Sequence, residues 1–295
     1  MRSLATILFA LGTLIAVPAF ADDADALYKQ GLAYKQQGKA DDAIAALEKA
    51  VAANPRHGMA WSSLGNLYKA KGDLPKAIGA YESATAVITK DKVLWANLGM
   101  AYFRGGQVDK AVEALTTACK LDPKDAEIRG NLGTVKRKKG DIGGAIFDLE
   151  MATKLKPDEA PYWNNLGVAY RTAKRDDDAI KAYEKAVALS PNDASFHFNL
   201  GVTYRRKEMI VQAIAAYEKA TGLDPSNGEA WFDLGFMYKT DHQQDKAIAA
   251  FNKYLELNKG KDAAGQSRIE EEVSGMGGTP TTKAPAPKPA LKKKR

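Results

Sequence analysis

A glycine returns every 34 residues, seven times without a slip in register: Gly31, Gly65, Gly99, Gly133, Gly167, Gly201 and Gly235. Twelve positions after each stands an alanine, from Ala43 through Ala77, Ala111, Ala145, Ala179 and Ala213 to Ala247. Four residues further on is a bulky side chain: Leu47, Tyr81, Leu115, Leu149, Tyr183, Tyr217 or Phe251. Such a period means that one supersecondary unit has been copied, and that each copy depends on its neighbours for burial. Within a unit Trp61, Leu64, Gly65 and Tyr68 share one helical face, and Ala77, Tyr81 and Ala84 share a face of a second helix. Gly72-Asp73, Gly106-Gln107 and Gly140-Asp141 end the first helix and start the second. Prolines at 55, 123, 157, 191 and 225 stop the second helix in five units. Small residues at the crossing let two backbones approach, and the bulky residue fills the wedge between them.

The run Trp163, Leu166-Gly167, Tyr170, Ala179, Tyr183, Ala186, Pro191 resembles the tetratricopeptide repeat, and the resemblance covers residues 24 to 261. It implies an all-α fold, a right-handed α-solenoid superhelix whose first helices line a concave groove. Seven helix-turn-helix units are expected at 24–57, 58–91, 92–125, 126–159, 160–193, 194–227 and 228–261. A polar capping helix is expected over 262–273, and a disordered Pro/Ala/Lys-rich tail over 274–295. The fourth unit departs most, with Lys136 in the tyrosine position and Gly143-Gly144 opening its second helix. It is expected to be the weakest joint, at about 1 kcal/mol per helical glycine. Lys174 and Glu208 replace the turn glycine in the fifth and sixth units.

Residues 1–21 read as a cleavable signal peptide. Arg2 precedes an uncharged apolar run from Leu4 to Val17, and Pro18 lies before the small-x-small site Ala19-Phe20-Ala21. Cleavage after Ala21 would place the mature protein in the periplasm or outside the cell. No cysteine follows the run for lipoprotein acylation. The formal charge of +7 is unevenly placed. Arg2 belongs to the signal peptide, and six basic residues with no acid lie beyond residue 273, leaving 22–273 balanced at 36 against 36.

Catalysis and cofactors are not expected: the single Cys119 and the scattered His57, His197 and His242 offer neither a nucleophile constellation nor a metal set. The informative row lies two positions before each repeat glycine: Lys29, Ser63, Asn97, Asn131, Asn165, Asn199 and Asp233. A carboxamide both donates and accepts, as a peptide unit does. The row resembles the asparagine ladder in the repeat region of O-linked N-acetylglucosamine transferases. That resemblance implies capture of an extended peptide backbone by Asn97, Asn131, Asn165 and Asn199, flanked by Ser63 and Asp233. The competing reading is that these asparagines bridge adjacent repeats. Six residues after each row position comes Lys35, Lys69, Phe103, Arg137, Arg171, Arg205 or Lys239, a basic stripe suited to acidic peptides or polymers. Phe198, Phe232 and Phe236 are expected to anchor an apolar side chain or to lie under the protein's own cap. The residue before each row position is not lysine in any unit, so a chaperone carboxylate clamp is not expected.

The first reading is therefore a non-enzymatic scaffold that binds protein partners and assists assembly of an envelope or secretion complex. The second is a polysaccharide-export or cell-surface factor holding acidic polymer or lipid headgroups by stripe and tail. Export argues against nucleic acid, and stacking of repeats between chains offers a route to homo-oligomers.

Overall fold

The computed structural model describes residues 18–261 and 263–282, all of them helix or connecting turn. The expected apolar run of the signal peptide and the basic end of the tail lie outside the described residues. Fifteen α-helices follow in order among those described: α1 Pro18–Gln36, α2 Ala40–Ala53, α3 Gly58–Lys71, α4 Leu74–Val87, α5 Lys92–Arg104, α6 Val108–Leu121, α7 Ala126–Lys139, α8 Ile142–Leu155, α9 Ala160–Thr172, α10 Asp176–Leu189, α11 Ala194–Arg206, α12 Ile210–Leu223, α13 Gly228–Thr240, α14 Gln244–Leu257 and α15 Ala263–Gly275. The first fourteen form seven antiparallel pairs, an α-solenoid of helix-turn-helix repeats. The chain divides into two compact units, one ending at Pro123 with α1–α6 and one beginning at Lys124 with α7–α15. None of these helices is long and apolar enough to cross a membrane. The expected cleavage point after Ala21 falls in the first turn of α1, whose start at Pro18 uses a residue suited to a helix N-terminus.

Each pair closes on its glycine. A Cβ placed on Gly65 would lie 2.5 Å from the Tyr81 ring, and one on Gly167 would lie 2.7 Å from the Tyr183 ring. The same obstruction comes from Leu47, Leu115, Leu149, Tyr217 and Phe251 at their own glycines. The seven row alanines are fully buried where the second helix crosses the first. Turn geometry is kept even where glycine is absent: Lys174, Glu208 and His242 hold φ of 60°, 58° and 59°, beside 79° at Gly72. Carboxylates and an amide cap α4, α5, α7, α8, α11 and α13 through Asp73, Asp91, Asp125, Asp141, Asp193 and Asn227.

Successive repeats are joined by hydrogen bonds that recur with the period. Tyr102 donates its hydroxyl to Glu82, Tyr170 to Glu150, Tyr204 to Glu184, and the pairs Tyr68–Glu48 and Tyr238–Glu218 do the same, always 20 residues back. The indole N–H of Trp61, Trp95, Trp163 and Trp231 donates to the backbone carbonyl six residues earlier. His197 fills the tryptophan position because its Nε2 lies 2.9 Å from the carbonyl of Pro191, also six residues back. His57 serves as a cap, its Nδ1 accepting from Ala60 N–H.

The fourth repeat is rebuilt around a charge. Asp148, 1% exposed, stands where the other units have alanine. It takes Arg129 and Lys136, each at 2.7 Å, so the residues that replace Trp and Tyr are partnered by the one that replaces Ala. Gly144 also has a use: a Cβ there would meet the capping carboxylate of Asp141 at 2.3 Å. The expectation of a merely weakened unit overlooked Asp148.

The C-terminal cap is longer than expected, and the tail boundary at Ser274 needs correction. α15 runs to Gly275 with Ile269 and Val273 fully buried, and Pro280 is buried beyond it. Gln244 donates to the carbonyl of Met276, Asn252 donates to the carbonyl of Thr279, and Thr281 N–H donates back to Asn252. Residues 274–282 therefore belong to the folded body.

Two outcomes follow from these contacts. Burial pushes the hydroxyls of Tyr81 and Tyr183 up to about 12, and burial with the acceptor glutamate raises Tyr68, Tyr102, Tyr170, Tyr204 and Tyr238. Their folded values exceed the unfolded one, so their contribution is complete below about pH 10 and is lost as pH rises through the folded values. Melting temperature should fall steeply above that pH, with tyrosinate absorbance from these residues appearing together with loss of helicity. Separately, Asp148→Ala should destabilise the protein by about 1.5–3 kcal/mol by removing the carboxylate that Arg129 and Lys136 share. Denaturant melts should find the triple change Arg129→Trp, Lys136→Tyr, Asp148→Ala far milder.

Candidate peptide-binding face

The predicted site residues all lie on first helices of the pairs. In the unit ending at Pro123, Ser63 and Lys69 lie on α3, and Asn97 lies on α5. Lys69 donates to Asn97 Oδ1 at 3.2 Å, so this asparagine is already engaged across the repeat boundary. The Ser63 hydroxyl makes no hydrogen bond among the described residues.

In the unit beginning at Lys124, α9 neighbours α7 and α11, and α11 neighbours α13, so Asn131, Asn165, Asn199 and Asp233 fall on successive adjoining helices. They are not equivalent. Asn199 donates to Asn164 Oδ1 at 3.0 Å, a bridge between repeats. Asp233 is 5% exposed, accepts from the Tyr217 hydroxyl at 2.9 Å and lies 3.5 Å from Arg205. Burial raises its carboxyl above the usual carboxylate range, opposed by the Arg205 charge and the Tyr217 hydrogen bond. The carboxamides of Asn131 and Asn165 are half-buried and make no hydrogen bond among the described residues. Bridging therefore describes Asn97, Asn199 and Asp233, and leaves two amides of the row open.

The basic stripe is likewise divided. Lys239 pairs with Glu272 of the cap, Arg205 with Asp233, and Lys69 with Asn97. Arg137 has no ion pair among the described residues, and Arg171 lies 5.8 Å from the Tyr183 ring centroid. Phe198 packs at 5.9 Å from the Tyr217 ring, and Phe236 at 5.0 Å from Phe251 with Arg268 of the cap 5.5 Å from its centroid. Of the two expectations for these rings, cover by the cap holds at Phe236. Phe232 lies between Phe236 and Tyr254 and lines a cleft of about 430 Å³ with Glu229, Asn258, Gly265 and Arg268. Among the described residues no group of His, Cys, Asp and Glu is arranged to hold a metal ion, and Cys119 is buried.

Comparison with known proteins accords with this architecture. Residues 10–230 match the tetratricopeptide-repeat model of the cilia and flagella-associated protein 70 C-terminal domain, and residues 198–263 match a general tetratricopeptide repeat model. The chain belongs to this tetratricopeptide repeat family. No curated protein matches it by sequence. Among solved structures, MamA is similar at 29% identity and TM-score 0.53, over 56% of this chain and 96% of its own. A tetratricopeptide repeat protein from Parabacteroides merdae is similar at 17% identity and TM-score 0.62, over 84% of this chain and 97% of its own. YrrB, described as a tetratricopeptide repeat protein with an unusual peptide-binding site, is 20% identical with TM-score 0.54, over 64% of this chain and 97% of its own.

Proposed function

We propose that this tetratricopeptide-repeat chain is a non-catalytic scaffold that holds an extended segment of a protein partner along the first-helix face of its unit beginning at Lys124. The observation that carries the reading is the pair of uncommitted carboxamides, Asn131 and Asn165, at equivalent positions on neighbouring first helices. Each matches the donor and acceptor of one peptide unit. YrrB's description as a peptide-binding repeat protein of the same fold is consistent with it. Two such amides contribute roughly 1 kcal/mol each, far short of stable capture, so side-chain contacts must supply most of the affinity.

The internal use of Lys69, Arg205 and Lys239 favours a peptide over an acidic polymer, since a polymer would need the stripe unbroken. Cover of the last repeat by α15 and residues 276–282 likewise favours a self-capped scaffold over stacking of chains at that end. The setting we propose is the cell envelope or beyond it, on the strength of the apolar run and the Ala19-Phe20-Ala21 site, with the partner a component of an envelope or secretion assembly.

Affinity capture from an envelope extract tests the scaffold reading. Asn131→Ala with Asn165→Ala should weaken partner binding about thirtyfold, the equivalent of two such hydrogen bonds, while the thermal melt moves little, since neither amide is bonded among the described residues. Undiminished recovery would sink the reading. For the setting, sequencing the N-terminus of the protein from an envelope fraction should give Asp22; a chain still beginning at Met1 in the cytosol would overturn export.

A further inference from the structure

The repeats serve as controls for one another at the junction of the fifth and sixth. In the sixth repeat the ring under the glycine is Tyr217, and its hydroxyl reaches Asp233 of the next first helix at 2.9 Å, with Arg205 at 3.5 Å from the same carboxylate. In the second repeat the corresponding hydroxyl, of Tyr81, donates to Asn66 at 2.7 Å. The fifth repeat has the same ring, Tyr183, and the same basic position, Arg171. The residue in register with Asp233 is here Asn199, which turns its amide to Asn164. Tyr183 is fully buried, and its hydroxyl and the Nη1 of Arg171 are both buried without a hydrogen-bond partner among the described residues. A buried polar group left this way costs about 1–3 kcal/mol.

The charge around the orphaned pair points to what completes it. Burial raises the Tyr183 hydroxyl to about 12, while Arg171, Arg137 and Arg206 pull it down and Asp176 pushes it up. Asp176 is held by Arg206 at 3.3 Å, with its second oxygen also unpartnered among the described residues. Three guanidiniums against one carboxylate leave the locality cationic. The sixth repeat shows the group that satisfies a tyrosine hydroxyl and an arginine together at this position, a carboxylate.

We propose that Arg171 and Tyr183 form a subsite for one Asp or Glu side chain of the extended segment bound along Asn131 and Asn165. Arg171 receives the carboxylate by swinging from the Tyr183 ring, and the hydroxyl it uncovers donates to the same group, as Tyr217 does to Asp233. This deepens the scaffold reading and rests on it: the amides hold backbone without regard to sequence, and the subsite sets which side chain stands beside them.

The test uses the full chain and acetylated, amidated nonapeptides of alanine and serine that carry one central Asp, Glu or Asn, titrated at low salt. The acidic peptides should bind about tenfold more tightly than the Asn peptide, the scale of one charge-assisted hydrogen-bonded pair. Tyr183→Phe, which keeps the ring under Gly167, and Arg171→Gln should each remove most of that preference while the Asn peptide binds as before. Equal binding of acid and amide overturns the subsite and leaves the scaffold reading standing, with water alone serving the hydroxyl. A preference that survives both variants also overturns it, placing the charge recognition elsewhere. No binding of any peptide overturns the subsite, and binding of oligogalacturonate in their place through the same residues overturns both the subsite and the scaffold reading.

Discussion

Every repeat depends on one close approach, the bare backbone of a first-helix glycine against the bulky residue 16 positions later. No other residue fits, because a Cβ at Gly65 or Gly235 would stand 2.5 Å from ring carbons. That contact sets the distance between the paired helices, and the fully buried alanine row follows from it as the crossing tightens. It also fixes where the ring ends. Where the ring is tyrosine, its hydroxyl is carried to the first helices, to Asn66 in one case and Asp233 in another. The same packing that makes the solenoid thus delivers polar atoms to the face on which a partner would lie.

Between repeats the geometry is constant and the chemistry is negotiable. An imidazole replaces an indole at residue 197 because both place a nitrogen at the carbonyl six residues earlier. In the fourth repeat a lysine, an arginine and an aspartate take the places of a tyrosine, a tryptophan and an alanine, and the three substitutions explain one another only when seen together. Where the Tyr–Glu pairs have tyrosine and, 20 residues earlier, glutamate, the sequence here has Lys136 and Thr116, so the two are replaced together. The buried member is Asp148, and a carboxylate at 1% exposure survives there only with cations to receive it.

This difference decides what could be read from the chain in advance. The helix pairs, their turns and their core rows were legible, because they rest on periodic spacing that one sequence displays seven times over. The row Asn97, Asn131, Asn165, Asn199 was legible as a row for the same reason. Its division was not: whether an amide is open depends on non-periodic neighbours, such as Lys69 beside Asn97 and Asn164 beside Asn199. The cap was underestimated because a Gly-, Thr- and Pro-rich composition reads as linker, whereas Asn252 and Gln244 supply bonds that tie it down. Asp148 was overlooked because a single acid in an alanine row carries no signal until its two cationic partners are placed around it.

A ladder of amides recognises peptide backbone, and every extended peptide offers the same backbone. Alone it can slide by one residue along its ligand without penalty. A register is fixed only by a feature that is not repeated, and the first-helix face carries one where the periodic rule fails. In the sixth repeat Asp233 closes the set with Tyr217 and Arg205 internally; in the fifth, Asn199 is turned away and Arg171 with Tyr183 is left short of an acceptor. Periodicity builds the surface, and the break in its hydrogen bonding, at Arg171 and Tyr183, is where discrimination between partners has room to arise.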